Sequence, residues 1–383
     1  MPLRTRNFLL CGVVETTSGM WASPTGANAL LGESLTGPTP NVQLIETNEG
    51  TGSLDPQAPI VPGMYAEWSV DVYLKGSGAA GTPPDCGPFL KAAGYTEVIT
   101  AAPIAAAAAS AGTAKTLTLG TGFAATAQLY RGMPLTLATN PAAGATTFIW
   151  DYTVGKVASL TDTFNPVLDN TTTAALPANV AYYPGSGAIP TMSHGIYRDG
   201  IYYQMVGVAA AVSMEWNAGK PAKLKFKFTG FCIAKTDAAV PANPTLNTTR
   251  PPVWRAGAHT LNSVAAAVTQ LTLDLGNNVV VPPNPNGLEG FDPAIITGRK
   301  QRGQIDPQEV LTATRNLYQA FRNQTLWPLH ARMGATPGNR VALTVPQAQF
   351  LNETPTDQSG VVAVTVPFAP NGLDSASHIL CFY

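Results

Sequence analysis

The chain has 383 residues and a mass of 39.9 kDa, with 45% hydrophobic residues, only 12% charged residues and a formal charge of −1. That length holds two or three domains with real cores, and the charge provides no basic excess of the kind that drives nucleic-acid binding. Gly and Pro number 36 and 33, short of a disordered composition, and no apolar stretch reaches the length of a membrane span.

From the N-terminus, "MPLRTRNFLLCGVVETT" imitates a secretion signal, with Arg4 and Arg6 ahead of the apolar run Phe8–Val14. The run is short, Glu15 follows it at once, no small-x-small cleavage site stands after it, and Leu10 sits where a lipoprotein box needs a small residue. The segment reads as a first strand. "YAEWSVDVYLK" alternates: Ala66, Trp68, Val70, Val72 and Leu74 share one face, and Glu67, Ser69, Asp71 and Lys75 the other. This is the pattern of a half-buried antiparallel strand.

The next stretch, "YLKGSGAAGTPPDCG", contains a G-x-G-x-x-G at Gly76, Gly78 and Gly81, by pattern the phosphate loop of a dinucleotide-binding enzyme. Three features oppose that reading. A Rossmann first strand is apolar on both faces, whereas this one is polar on one. The pyrophosphate needs a helix N-terminus at the last glycine, but Thr82-Pro83-Pro84 intervenes. The remaining chain lacks the alternation of strands and helices that builds a parallel sheet. The glycines read as a connection between strand and helix. "PDCGPFLKAAG" then makes a short helix, capped by Asp85, stopped by Gly94, and burying Phe89, Leu90 and Ala93.

"AAPIAAAAASAG" (101–112) has the look of a small-residue linker, and 113–183 is a run of short strands separated by Gly, Pro and Asn. Together, 101–183 read as a small β domain inserted into the first half. Beyond it, "GIYRDGIYYQMV" signals a hairpin with Asp199-Gly200 at the turn. "AKLKFKFTGF" alternates Leu224, Phe226 and Phe228 with Lys223, Lys225 and Lys227. Residues 237–252 have the composition of an interdomain linker.

In the second half, 303–323 read as an extended segment and then a helix; within it "GQIDPQEVL", with Asp306 and Glu309, is turn-like. Thr314 is the expected helix cap, with Leu317, Tyr318 and Phe321 along one face. "LWPLHARMG" and "NRVALTVPQAQF" supply strands, and "VVAVTVPF" places Val362, Val364, Val366 and Phe368 on one face. The order strand, loop, short helix, long alternating strand thus occurs twice, which points to a diverged duplication. The domains expected are 1–100 with 184–240, the insertion 101–183, and 241–383.

No residue set demands chemistry. Cys11, Cys86, Cys232 and Cys381 are scattered and read as buried free thiols of a reducing cytoplasm. His194, His259, His330 and His378 are equally scattered, with no metal-ligand spacing. Trp254 and Trp327 read as core or interface residues. No enzymatic activity, cofactor or metal is expected.

Six segments occur in an order that resembles the tail tube (major tail) proteins of tailed bacteriophages: "GVVETTSGMWASPTGANALL", "YLKGSGAAGTPPDCGPFLKAAGY", "GKPAKLKFKFTGFCIAKTDAAVPANP", "TLDLGNNVVV", "GRKQRGQIDPQEVL" and "GNRVALTVPQAQFLN…GVVAVTVPF". The resemblance spans about 8–95 and 195–370. It implies a mainly β chain of two tail-tube-type β-sandwich or barrel domains, each with a short helix, plus the inserted small β domain. It implies rings stacked into a hollow tube that passes double-stranded DNA without sequence-specific binding. Two tube domains per chain favour three copies per ring over a hexamer.

Partners implied are further copies of the chain and the tape-measure, tail terminator and tail-tip proteins. The place implied is the virion tail, after synthesis in the host cytoplasm, with no membrane anchor. The insertion is similar to a small β module of phage structural proteins, though "FIW" at Phe148–Trp150 lacks that module's arginines. Projecting from the ring, it would obstruct a contractile sheath, so a non-contractile tail is expected. Glu67, Asp71, Asp306 and Glu309 are the candidate lumen-facing residues; pairing of such acids with Lys223, Lys225 and Lys227 is the competing reading. Loops 50–63 and 352–360 are candidates for seating one ring on the next. A virion ring or decoration protein such as a tail terminator, or a nucleotide-binding enzyme, are the other classes.

Overall fold

A computed structural model describes residues 4, 6–42, 44–47, 49–50, 52, 54–55, 57–139, 143–255, 257–372 and 376–383. The chain is mainly β, 49% strand and 5% helix, and its sheets include a half-barrel. In the first half of the main body the elements are β1 (Phe8–Val14), β2 (Ser34–Val42), β3 (Met64–Tyr73), α1 (Gly87–Ala92), β4 (Tyr95–Thr100), β5 (Asn179–Pro184), β6 (Met192–Arg198), β7 (Ile201–Asn217) and β8 (Lys223–Asp237). The second half follows with β9 (His259–Leu261), β10 (Val268–Asp274), β11 (Arg302–Pro307), α2 (Leu317–Arg322), β12 (Leu326–Met333), β13 (Val341–Phe350), β14 (Thr354–Gln358), β15 (Val361–Pro370) and β16 (Ile379–Phe382).

Eight of these strands form one continuous antiparallel sheet in the order β2-β3-β8-β7-β10-β11-β15-β14. The order repeats. In each quartet an outer strand pairs with a strand that follows it in the chain, and beyond that come the second and first strands of a later hairpin; a short helix follows the second strand, and in the second quartet the small hairpin Asn277–Val280 with Ile295–Arg299 intervenes between the first two. The quartets join inside the chain where β7 pairs with β10, Ser213 opposite Asp274 and Asn217 opposite Gln270.

A second layer, β4-β5-β16-β13-β12-β9, packs over the first. Between them lies one core shared by both halves, with Trp68, Phe226 and Phe228 from the first quartet and Leu271, Ile305 and Phe368 from the second. The Phe226 and Phe228 rings stack 5.6 Å apart, and Phe89 of α1 fits against both. Burying each such side chain contributes about 1.5–3 kcal/mol, so the halves hold together through the core as well as through the β7–β10 pairing.

The inserted segment has its own seven-stranded sheet between Ile104 and Leu176, around Leu117, Leu135, Ile149, Tyr152 and Leu160. Its strands include Ile104–Ala108 and Ala111–Gly112, so the alanine-rich stretch is part of the fold rather than a linker: small side chains lower its hydrophobic signal but do not prevent ladder hydrogen bonds. β5 belongs to the main body. The insertion docks on the far side of the second layer, where Phe148 meets Ala181, Ala342, Ile379, Cys381 and Tyr383.

Three further details correct the sequence reading. The residue before α1 is Cys86, with no side-chain cap; Asp85 instead accepts from the Cys86 N–H at 3.0 Å. Asn316 rather than Thr314 caps α2, accepting from Gln319 N–H at 2.8 Å, and Tyr318 is 58% exposed while Leu317 and Ala320 are buried. Val362 is 60% exposed because the β14–β15 hairpin runs past the end of the core.

Candidate functional site

The long sheet has two unlike faces. Along β3, Ala66, Trp68, Val70 and Val72 are buried in the core, and Tyr65, Glu67, Ser69, Asp71 and Tyr73 stand on the opposite face. Register carries this alternation across the sheet. Lys223, Lys225 and Lys227 of β8 lie opposite Tyr73, Asp71 and Ser69, and opposite Glu215, Ser213 and Ala211 of β7. Thr272 and Asp274 of β10 continue the row to Gln304 and Arg302 of β11. The result is a polar face that runs across β3, β8, β7, β10 and β11.

Its charges are arranged in pairs. Lys223 Nζ lies 2.5 Å from Glu33, Lys225 Nζ 2.6 Å from Glu215, and Lys227 Nζ 2.9 Å from Glu67. Hydrogen bonds from Lys223 and from the Tyr73 hydroxyl hold the Glu33 carboxyl below its usual range, and Lys225 and Asn217 do the same for Glu215. The Lys223 ammonium is raised in turn, chiefly by Glu33. On this face Glu33, Glu67, Asp71, Glu215, Asp274 and Asp306 outnumber Lys223, Lys225, Lys227 and Arg302.

Three of the four acids singled out from the sequence share this face. Glu67 is paired with Lys227, and Asp71 stands opposite Lys225. Asp306 lies on β11, where its carboxylate accepts from Thr269 N–H at 2.9 Å, Gln270 N–H at 2.6 Å, Gln358 Nε2 at 3.1 Å and the Thr269 hydroxyl. That carboxylate is committed to tying β10 to β14. Glu309 lies beyond the end of β11, exposed. Sequence reasoning passed over Glu33, Glu215, Asp274 and Arg302. Arg302-Gly303-Gln304-Ile305-Asp306 carries a period-two signal, Gly303 and Ile305 being buried, but its Gly, Asp and Pro content masks it as a turn.

The glycine loop serves contact between backbones. A Cβ on Gly76 would lie 2.0 Å from the Gly338 carbonyl oxygen, and one on Gly338 2.6 Å from the Ala79 nitrogen. Gly78 N–H donates to Gly338 O at 3.1 Å, and Asn339 accepts from Gly76 N–H at 3.0 Å. Only glycine permits this approach. A cleft of about 520 Å³ beside the loop is lined by Ser77, Pro83, Asp85 and Thr249. Lys75 nearby is buried, and its ammonium donates to Asn247 O at 2.6 Å rather than facing the loop as a phosphate ligand.

The four histidines and Cys11, Cys86 and Cys381 are buried, and Cys232 is half-buried. Burial lowers His194, His259 and His378 to about 3 and His330 well below its ordinary value. Burial raises Cys11 to about 11 and pushes Cys86 and Cys381 well above the ordinary thiol value, leaving them as protonated thiols rather than nucleophiles. Among the described residues no group of three His, Cys, Asp or Glu side chains is placed to hold a metal ion, and no helix is long and apolar enough to cross a membrane.

A scan against protein-family models and a search of curated proteins find no match to this chain.

Proposed function

We propose that the chain is a tail tube protein of a bacteriophage, a structural and non-enzymatic subunit that closes into rings and stacks into a DNA-conducting tube. The observation that carries this reading is the long sheet: one polar face, one apolar face, two edges without a partner, and a compact module on the opposite side of the molecule. Among the described residues β2 pairs only with β3, and β14 only with β15. Edge strands recruit another chain unless blocked, and cyclic closure satisfies both edges together.

Strand counting sets the number of copies. Three copies supply twenty-four strands; at about 4.8 Å apart these make a ring roughly 37 Å across at the backbone, wider once tilted. With about 5 Å of side chain on each wall, that leaves room for a duplex about 20 Å wide. Two copies give a backbone ring of roughly 24 Å, too narrow, and six give roughly 73 Å, far wider than the cargo. The repeated quartet supports two tube domains per chain and thus a pseudo-six-fold ring of three.

The polar face then lines the channel with an acidic excess, which lets DNA slide without sequence reading. The module faces outward, where it would obstruct a sheath, and this favours a non-contractile tail. Exposed apolar residues at the two ends of the sheet suit stacking. The β2–β3 connection offers Leu44, Ile45, Ile60 and Val61 at one end, and Val310, Leu311, Val361 and Val362 stand at the other. Of loop 352–360, the part Thr354–Gln358 is strand β14. The virion tail as location and the tape-measure, terminator and tip proteins as partners follow from the family resemblance.

Electron microscopy of the concentrated protein tests the reading. Stacked rings with a central hole and three chains per turn are expected. Rings of two or six chains overturn the stoichiometry, and a chain that stays monomeric at high concentration, even when seeded with tail tips, overturns the tube itself.

A further inference from the structure

Three lysines at alternate positions of one strand are about 6.8 Å apart, a row of cations suited to gripping a phosphate backbone. On β8, however, each is held by a carboxylate from a different part of the sheet: Lys223 by Glu33 ahead of β2, Lys225 by Glu215 on β7, and Lys227 by Glu67 on β3. Exposed ion pairs of this kind contribute little to stability, so their value lies elsewhere. Without the lysines, Glu33, Glu67 and Asp71 at the β2–β3 side of β8 and Glu215 on β7 at its other side would leave a row of uncompensated like charges. Without the carboxylates, the lysines would face the channel as three free phosphate ligands, each adding to DNA affinity through counterion release.

We propose that Glu33, Glu67 and Glu215 act as a charge mask, holding the β8 ammonium groups on the protein so that duplex DNA meets no free lysine row to grip. This rests on the reading of the polar face as the channel wall. The mask explains how a strand reading Lys-x-Lys-x-Lys can line a DNA conduit. It assigns the three glutamates a role that cavity lining alone does not require.

The test is binding of a short fluorescent DNA duplex, read by anisotropy, to the full-length wild-type chain and to E33Q/E67Q/E215Q. Wild type is expected to show no saturable binding at low salt. The triple variant is expected to bind, weakening about 40-fold between about 50 and 200 mM salt, since three phosphate contacts give a log–log slope of roughly −2.7. Adding K223Q/K225Q/K227Q to it should abolish that binding. If the triple variant folds poorly by circular dichroism, E67Q alone should bind with a slope of roughly −0.9.

A variant that binds no better than wild type overturns the mask. So does binding that survives loss of the lysines, or salt-dependent binding by wild type itself. The assay needs only the folded chain, so microscopy separates the two readings: rings with no gain in DNA binding overturn the mask alone, and a gain without rings overturns the tube alone.

Discussion

The Phe148 ring of the inserted module lies against the His330 imidazole of β12, with ring centroids 4.5 Å apart. Tyr383 closes the other side edge-on at 5.2 Å. The module is covalently part of the first half, yet this contact is to strands of the second. Hydrogen bonds from Ser263 Oγ to Leu160 O at 2.7 Å and from Arg332 to Thr146 O reinforce it. The insertion therefore staples the halves together. Phe148→Ala should cost about 3–5 kcal/mol, read as a fall in the urea midpoint of a single transition. A loss under about 1 kcal/mol would show that the seam does not anchor the module.

Gly76→Ala tests the fate of the glycine motif. Its Cβ would meet backbone on the opposing loop at 2.0 Å, so loops 76–81 and 334–339 must separate, at a cost of about 1–3 kcal/mol. Gly187→Ala is the control, with nothing within 4 Å of the added carbon, and should stay within about 0.5 kcal/mol. Equal midpoints for the two variants in urea unfolding would rule out the close loop contact.

Local pattern told much of this fold and tertiary register told the rest. The alternation from Tyr65 to Leu74 and the Asp199-Gly200 turn, where both residues have positive φ, are written in adjacent residues. The pairing of β7 with β10 is not, because nothing near Ser213 in the chain specifies Asp274. Glu33 and Glu215 were invisible as lysine partners for the same reason. The strand Ile104–Ala108 hides because its run of methyl side chains gives no periodic contrast, although Ala109 beside it is buried. Glu67 and Asp71 could be placed on a polar face from sequence, but that this face continues through β8, β7 and β10 to β11 is a property of the assembled sheet.

Acid should unfold the protein earlier than its carboxylates alone would. His194, His259 and His378 titrate at about 3 in the fold and His330 well below its ordinary value, against about 6.5 when unfolded. Above pH 6.5 both states are neutral and stability is complete. As pH falls from 6.5 toward 3 the unfolded chain takes up protons that the fold refuses, removing about 1.4 kcal/mol per pH unit for each histidine. Asp85 and Glu353, raised mainly by burial, oppose this only in the carboxylate range. Tryptophan fluorescence should place the acid midpoint at about pH 4–5. His194→Gln should reduce the pH slope by about one proton, and an unchanged slope would count against the buried-histidine account.

The joint between copies can be predicted from the joint within the chain. In the repeated order β14 corresponds to β7 and β2 to β10, so β14 of one copy should pair antiparallel with β2 of the next. Thr354, Thr356 and Gln358 share the polar face with Ser34 and Thr36 through their registers with β15 and β3. By analogy with Glu215 opposite Thr272, Thr356 should stand opposite Thr36, where Cα atoms about 4.5–5.5 Å apart fall within the span that a disulfide bridges. Pro38, Pro40 and Pro355 on these edges limit pairing in other registers. The double variant T36C/T356C, oxidised after assembly, should give covalent species of one, two and three chains. Three should be the end point, because closure consumes the last free edge. Either single variant should stay monomeric on a denaturing gel. A ladder running past three chains would mean that the sheet does not close at twenty-four strands, and an absence of cross-links in assembled rings would mean that β2 and β14 do not meet.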